Sequence, residues 1–145
     1  MSKIAGHYTH TSHLLNILAG AGEHQGLEGV MTPTEGCSLP SEEAIYLAKS
    51  LHPSKRYCLV LDWVLIDVDM AEGRKLPDGF MPTVVYSPNI LEDEAGRFPR
   101  GGWVRSTFEV SFQEGCLFET KNTIYVLMGS GARTRCDWGT LGRLF

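Results

Sequence analysis

The chain has no apolar run approaching the ~20 residues of a membrane span. Its start lacks the basic segment and apolar stretch of a secretory leader. Both absences predict a soluble, cytoplasmic protein that does not contact membrane. Cysteine is sparse, at Cys37, Cys58, Cys116 and Cys136, and no two form a Cys-x-x-Cys pair. That spacing disfavours a zinc ribbon or a dithiol redox motif and suits reduced thiols in a cytosolic chain. Positive charge is also short. The formal net charge is −4, whereas non-specific binding to nucleic acid or to an anionic membrane needs a cationic field. There is no internal repeat and no linker-like stretch that would mark a domain boundary.

What is present is ordinary for a globular protein: 43% hydrophobic and 21% charged residues. Residues 1–145 suffice for one domain with a real core. Residues 1–11 are polar and aperiodic, and residues 132–145 are basic and Gly-rich, so both ends are expected to be flexible.

The distinctive stretch is Gly101–Gly129. From Trp103 to Phe112, Val104, Ser106, Phe108, Val110 and Phe112 alternate with Trp103, Arg105, Thr107, Glu109 and Ser111, the pattern of a half-buried strand. Gln113-Glu114-Gly115 and Lys121-Asn122 supply turns. Strands 103–112, 116–120 and 123–128 then form an antiparallel meander, because short loops force antiparallel neighbours. Upstream, residues 57–68 (YCLVLDWVLIDV) are apolar on both faces apart from Asp62, which reads as one strand covered on both sides. Residues 83–87 form another strand, with Ile90 and Leu91 extending the region. Ala44, Leu47, Ala48 and Leu51 share one helical face over residues 40–51, with Pro40 and Glu42/Glu43 at the start. Ser12–Ala21 predicts a short N-terminal helix, and residues 26–37 a surface loop. The expected class is α+β: one mainly antiparallel sheet of about five strands with the 40–51 helix against it.

Each candidate chemistry meets a physical objection. His7, His10 and His13 are spaced for metal ligands, but three helical positions spanning i to i+6 do not share a face, so neither a metal nor a cofactor is expected. Cys116 as a nucleophile would need a thiolate activated by a histidine or a helix start, and the sequence places neither beside it. The GSGARTR segment, with Arg133 and Arg135, offers backbone amides and cations to an anion or to nucleic acid, yet no helix follows as phosphate-binding loops require. Asp67 and Asp69 point to one side of a strand end and could act as acid and base or hold a cation. Glu42/Glu43 read as dipole-matching acids, and Asp93/Glu94 as turn residues. What remains is recognition by the outer face of the meander: Trp103, Arg105, Thr107, Glu109, Leu117 and Glu119. Trp and Arg are typical interface anchors.

The segment GRFPRGGWVRSTFEVSFQEGCLFETKNTIYVLMGSG, preceded by RYCLVLDWVLIDVD and MPTVVYSPNI, resembles a family of small uncharacterised bacterial and prophage-encoded proteins, a domain of unknown function. The resemblance covers roughly residues 56–131. It implies no catalytic residues, only a setting among accessory genes of phage and mobile elements, which often act by protein contact. The expectation is therefore a non-enzymatic, cytoplasmic protein-binding module with a protein partner or a second copy of itself. The alternatives are a small enzyme or ligand binder using Cys116 or Asp67/Asp69, and nucleic-acid binding by the basic C-terminal segment.

Overall fold

The computed structural model describes residues 31–144. The expected 12–21 helix and the His7, His10 and His13 triplet lie outside the described residues. The elements are β1 (Thr32–Glu35), α1 (Ser41–Leu51), β2 (Arg56–Leu61), β3 (Val64–Asp69), β4 (Thr83–Ser87), β5 (Asn89–Asp93), β6 (Val104–Arg105), β7 (Ser111–Gln113), β8 (Leu117–Glu119), β9 (Thr123–Leu127), β10 (Ser130–Asp137) and α2 (Trp138–Leu144). They form two five-stranded sheets, ordered β1-β10-β3-β4-β6 and β5-β2-β9-β8-β7. The α+β class stands, but the single antiparallel sheet is corrected to two mixed ones. Each has a parallel pair, β10 with β3 and β2 with β9. Among the described residues no helix is long and apolar enough to cross a membrane.

Three apolar clusters define four layers. Cys58, Val60, Leu65, Val85, Ile90, Val104, Phe118, Tyr125 and Leu127 draw on both sheets and fill the space between them. Ala44 and Ala48 of α1 pack with Tyr57, Leu59, Ile124 and Val126 on the outer face of the second sheet. Leu141 of α2 packs with Val64, Ile66, Val84 and Cys136 on the outer face of the first. The chain is thus layered α1, second sheet, first sheet, α2. The helical face expected from sequence is buried at Ala44 and Ala48, while Leu51 is left exposed.

The expected strand over 57–68 is two strands in different sheets. Asp62 takes φ 52°, in the left-handed region that Asp tolerates better than most residues, and the chain crosses there from β2 to β3. The change of sheet resets the face pattern, so Leu65 joins Cys58 and Val60 rather than Tyr57 and Leu59. The strand over 103–112 likewise splits into β6 and β7, which end in different sheets. The antiparallel meander survives as β7-β8-β9. Its first turn has Glu114 and Gly115 at positive φ, whereas neither Lys121 nor Asn122 takes a positive φ. The Thr120 Oγ1 instead accepts the Thr123 N–H at 3.2 Å.

The expected loop at 26–37 contains β1, which pairs antiparallel with β10. The C-terminal stretch from 132 forms most of β10 followed by α2. Arg133, Thr134 and Arg135 pair with Leu65, Ile66 and Asp67. The partners lie some seventy residues apart in sequence, so no local pattern announces the pairing.

Candidate binding cleft

At the β4–β6 edge of the first sheet, residues 93–106 run as a strap over the end of the sandwich. Its start is fixed by Asp93, whose side chain is wholly buried. The carboxylate accepts the Arg97 backbone N–H at 2.8 Å and Arg97 Nε and Nη2 at 3.1 Å. Burial alone would raise this carboxyl, but the Arg97 bonds outweigh it and hold it below the usual range. The turn closes through Gly96, at φ 69°. The Arg97 guanidinium lies 4.9 Å from the centre of the Phe98 ring, a cation–π contact. Two bonds then tie the strap to β5: Gly101 N–H to Ile90 O at 2.7 Å and Ile90 N–H to Gly102 O at 3.0 Å. Beyond β6, Ser106 Oγ accepts the Val85 N–H at 2.9 Å and the Ser106 N–H donates back to Val85 O at 2.8 Å.

Alternation along this strap decides what faces out. Val104 and Ser106 are buried, and Trp103, Arg105 and Thr107 are exposed, as the period of two requires. Trp103 is 47% exposed and leans on buried Tyr86, with ring centroids 6.4 Å apart at 41°. Along the strap and β6 lies a cleft of about 460 Å³ lined by Phe98, Pro99, Gly102, Trp103, Val104 and Arg105. The sequence indicated Trp103 and Arg105 but not Phe98 or Pro99. The available signal was the Gly, Pro, Arg and aromatic run GRFPRGGW, too irregular for either helix or strand.

The other expected surface residues fall elsewhere. Leu117 is fully buried. Glu119 sits at the α1 end of the second sheet, where it pairs with Lys55 and accepts from Ser111 Oγ at 2.6 Å, with His52 Nδ1 at 3.7 Å. Burial works against its charge, but Lys55 and Ser111 hold the carboxyl below its usual range. Glu109 bridges to Met81 by backbone and is half-buried. Burial raises its carboxyl despite nearby Arg133. The cleft therefore brings together Trp103 and Arg105 but neither glutamate.

Arg133 and Arg135 are on β10, in ion pairs. Arg133 grips Asp67 through Nε and Nη2, both at 2.7 Å, and Asp67 also accepts Thr83 Oγ1 at 2.7 Å. These bonds outweigh the burial of Asp67 and keep its carboxyl low. Arg135 reaches Asp69 at 2.8 Å. Asp67 and Asp69 share the face of Leu65, whose side chain is in the inter-sheet core. The two expected anion-binding arginines and the two expected catalytic or cation-binding acids thus meet and neutralise one another. Among the described residues no group of three or more His, Cys, Asp or Glu is placed to hold a metal ion.

All four cysteines are buried free thiols. Burial and the adjacent Cys37 push the Cys116 thiol up to about 12, and burial does the same for Cys58 and Cys136. A raised thiol pKa withholds the thiolate, the reactive form. Native protein is therefore expected to label slowly with iodoacetamide from neutral pH to mildly alkaline pH, and quickly once unfolded in urea. Rapid native labelling of Cys116 would overturn this assignment.

No curated protein and no solved structure matches the chain. A family model described as Domain of unknown function (DUF6957) matches residues 35–142. That span runs from the end of β1 into α2 and takes in the strap, the cleft and the paired charges of β3 and β10, and the chain belongs to this family.

Proposed function

We propose that the protein is a non-enzymatic binding module that takes a protein partner at the Trp103–Arg105 cleft, in the cytoplasm and in the phage or mobile-element setting that the resemblance implies. The observation that carries the reading is the cleft itself. A large aromatic, about half exposed, stands beside an exposed arginine over a concave apolar floor. Aromatic and Arg anchors around a pocket are where interface energy concentrates. Trp103 leans on Tyr86 and is still about half exposed, apolar area available for a partner to bury. The alternatives draw less support: Cys116 is buried with a raised pKa, and Asp67, Asp69, Arg133 and Arg135 are engaged in ion pairs.

A benzophenone side chain placed at position 103, with the same probe at exposed Tyr46 on α1 as control, tests the proposal. Irradiation in cell lysate is expected to give discrete cross-linked polypeptides from position 103 that the control does not give. A band at the dimer mass would identify a second copy as the occupant. Absence of any position-specific polypeptide adduct would sink the reading.

A further inference from the structure

We infer that Cys37 and Cys116 form a reversible redox pair, a modification site at which a peroxide converts two buried thiols into one disulfide. The site is separate from the cleft. Both cysteines belong to the apolar cluster on the α1 side of the second sheet, with Ala44, Tyr57 and Met128. They are far apart in sequence and are brought together by one residue of β9. The Leu127 N–H donates to Cys116 O at 2.9 Å, and Leu127 O accepts the Cys37 N–H at 2.7 Å. An antiparallel neighbour ordinarily fills both of these positions itself. Cys116 does not, because its own N–H is turned to Gln113 O at 3.1 Å and closes the β7–β8 turn. Cys37 takes the second position and is fixed there again by the Gly129 N–H, which donates to Cys37 O at 2.9 Å. The two residues thus sit side by side along one edge of β9, and their thiols are in hydrogen-bond contact. Closing that contact to an S–S bond of about 2.05 Å is a matter of side-chain rotation.

The other two thiols have no such neighbour. Cys58 is in the core between the sheets, and Cys136 is in the cluster beneath α2. Cys37 and Cys116 are buried, yet each adjoins exposed chain. Cys37 precedes exposed Ser38, and Cys116 follows the exposed Glu114-Gly115 turn. Local opening of either segment admits a reagent as small as hydrogen peroxide.

The oxidation runs in two steps. One cysteine gives its proton to water, and its sulfur attacks the O–O bond of the peroxide. An S–O bond forms, the O–O bond breaks, and hydroxide leaves and is protonated to water, so that the sulfur becomes a sulfenic acid. The neighbouring sulfur, deprotonated in turn, then attacks the sulfenic sulfur. The S–S bond forms, the S–O bond breaks and a second water leaves. Two thiols and one hydrogen peroxide give one disulfide and two waters; the sulfurs lose two electrons and the peroxide oxygens gain them. Burial slows the first step, because thiolate is scarce. Contact between the sulfurs speeds the second. Oxidation at this pair is therefore slow to start, and it ends as a disulfide rather than continuing to sulfinic acid.

Folded protein treated with hydrogen peroxide at neutral pH, then mapped by mass spectrometry of non-reduced peptides, tests this. The expected product has lost two hydrogens and carries one cross-link, between Cys37 and Cys116. Cys58 and Cys136 are expected to remain alkylatable after unfolding, and dithiothreitol is expected to restore both thiols of the pair. The oxidised form should melt about 5 °C or more above the reduced form, because the cross-link closes a long loop of the unfolded chain. In Cys37→Ala, shown to fold by its melting curve, Cys116 has no resolving partner and is expected to accumulate sulfinic acid. The inference is overturned by a cross-link to Cys58 or Cys136, or by sulfinic acid at Cys37 or Cys116 of the parent without a disulfide. An unoxidised pair in folded protein, under peroxide that oxidises the urea-unfolded chain, overturns it equally. So does an oxidised form that melts below the reduced one.

Discussion

Trp63→Ala is expected to cost about 3–5 kcal/mol of folding stability, the range for emptying a fully buried large aromatic site. Trp63 lies just after the Asp62 crossing, wholly buried in the inter-sheet core. Its indole Nε1–H donates to Met128 O at 3.1 Å, and its own carbonyl accepts the Ala132 N–H at 3.0 Å. The residue therefore joins the two sheets where the chain passes between them. Truncation leaves a cavity that rigid strands on both sides cannot close, and it strands the Met128 carbonyl in an apolar site. Against a typical total of about 5–15 kcal/mol, such a loss leaves a marginal protein. Urea unfolding followed by far-ultraviolet circular dichroism measures it. With a slope of about 1–3 kcal/mol per molar, the midpoint should fall by a molar or more. Trp63→Phe should lose much less, because it keeps most of the volume. A midpoint for Trp63→Ala close to that of the parent would show that the sheets do not depend on the indole.

Gly131→Ala is expected to destabilise by about 3 kcal/mol, at or above the top of the usual overpacking range of 1–3 kcal/mol. A Cβ at this position would lie 2.4 Å from Trp63 Cδ2 and 2.4 Å from the Trp63 carbonyl oxygen. One of these neighbours is a backbone carbonyl already hydrogen-bonded to Ala132 and the other a wholly buried ring, so neither gives way easily. Gly36, beside Gly131 at the β1–β10 edge, also approaches the indole, and a Cβ there would lie 2.7 Å from Trp63 Cζ2. The ring thus lies against two glycines. Gly129→Ala is the informative control. Gly129 has φ 66° and nothing within 4 Å of its built Cβ, so alanine there suffers backbone strain of about 1–2 kcal/mol without a clash. Packing against the indole predicts that Gly131→Ala costs more than Gly129→Ala. It also predicts that Gly131→Ala costs less when Trp63 is already alanine, a coupling that a double-mutant cycle reads directly. Additive losses would mean that Trp63 and Gly131 do not share a contact.

These two sites show where sequence patterns stop being informative. The run YCLVLDWVLIDV is apolar on both faces, and burial on both faces is what the structure has. The pattern does not say that one half belongs to one sheet and the other half to the next. The sign of the division was Asp62, the residue that broke the alternation. Its left-handed φ is a backbone event that a side-chain pattern registers only as an irregularity. The 103–112 alternation was similarly right for Trp103, Val104, Arg105 and Ser106, and wrong in implying one continuous strand. Leu117 and Glu119 were placed on the face of Trp103 because a single meander was assumed. Once β6 and β7 separate into different sheets, that assignment fails.

The candidate site divides in the same way. Trp103 and Arg105 stood out because two residues apart on a strand means one face. Phe98 and Pro99 join them only because Asp93 folds the strap back and Ile90 fixes it, contacts made by tertiary structure. Asp67 with Arg133 and Asp69 with Arg135 appeared in sequence as two unrelated motifs. The parallel pairing of β3 with β10 brings them into ion pairs with one another.

The sequence by itself determined α1, through Pro40, the early glutamates and the Ala44/Ala48 face; strand β4; the β7-β8-β9 meander, through its short turns; and the outward direction of Trp103 and Arg105. All of these depend on interactions within a few residues. Only the tertiary structure decided the two sheets, their parallel pairs, the four layers and the cleft. Those depend on contacts between segments tens of residues apart. Period-two hydrophobicity records that a strand has two buried faces, while the neighbour that buries each face is chosen by packing of the whole chain.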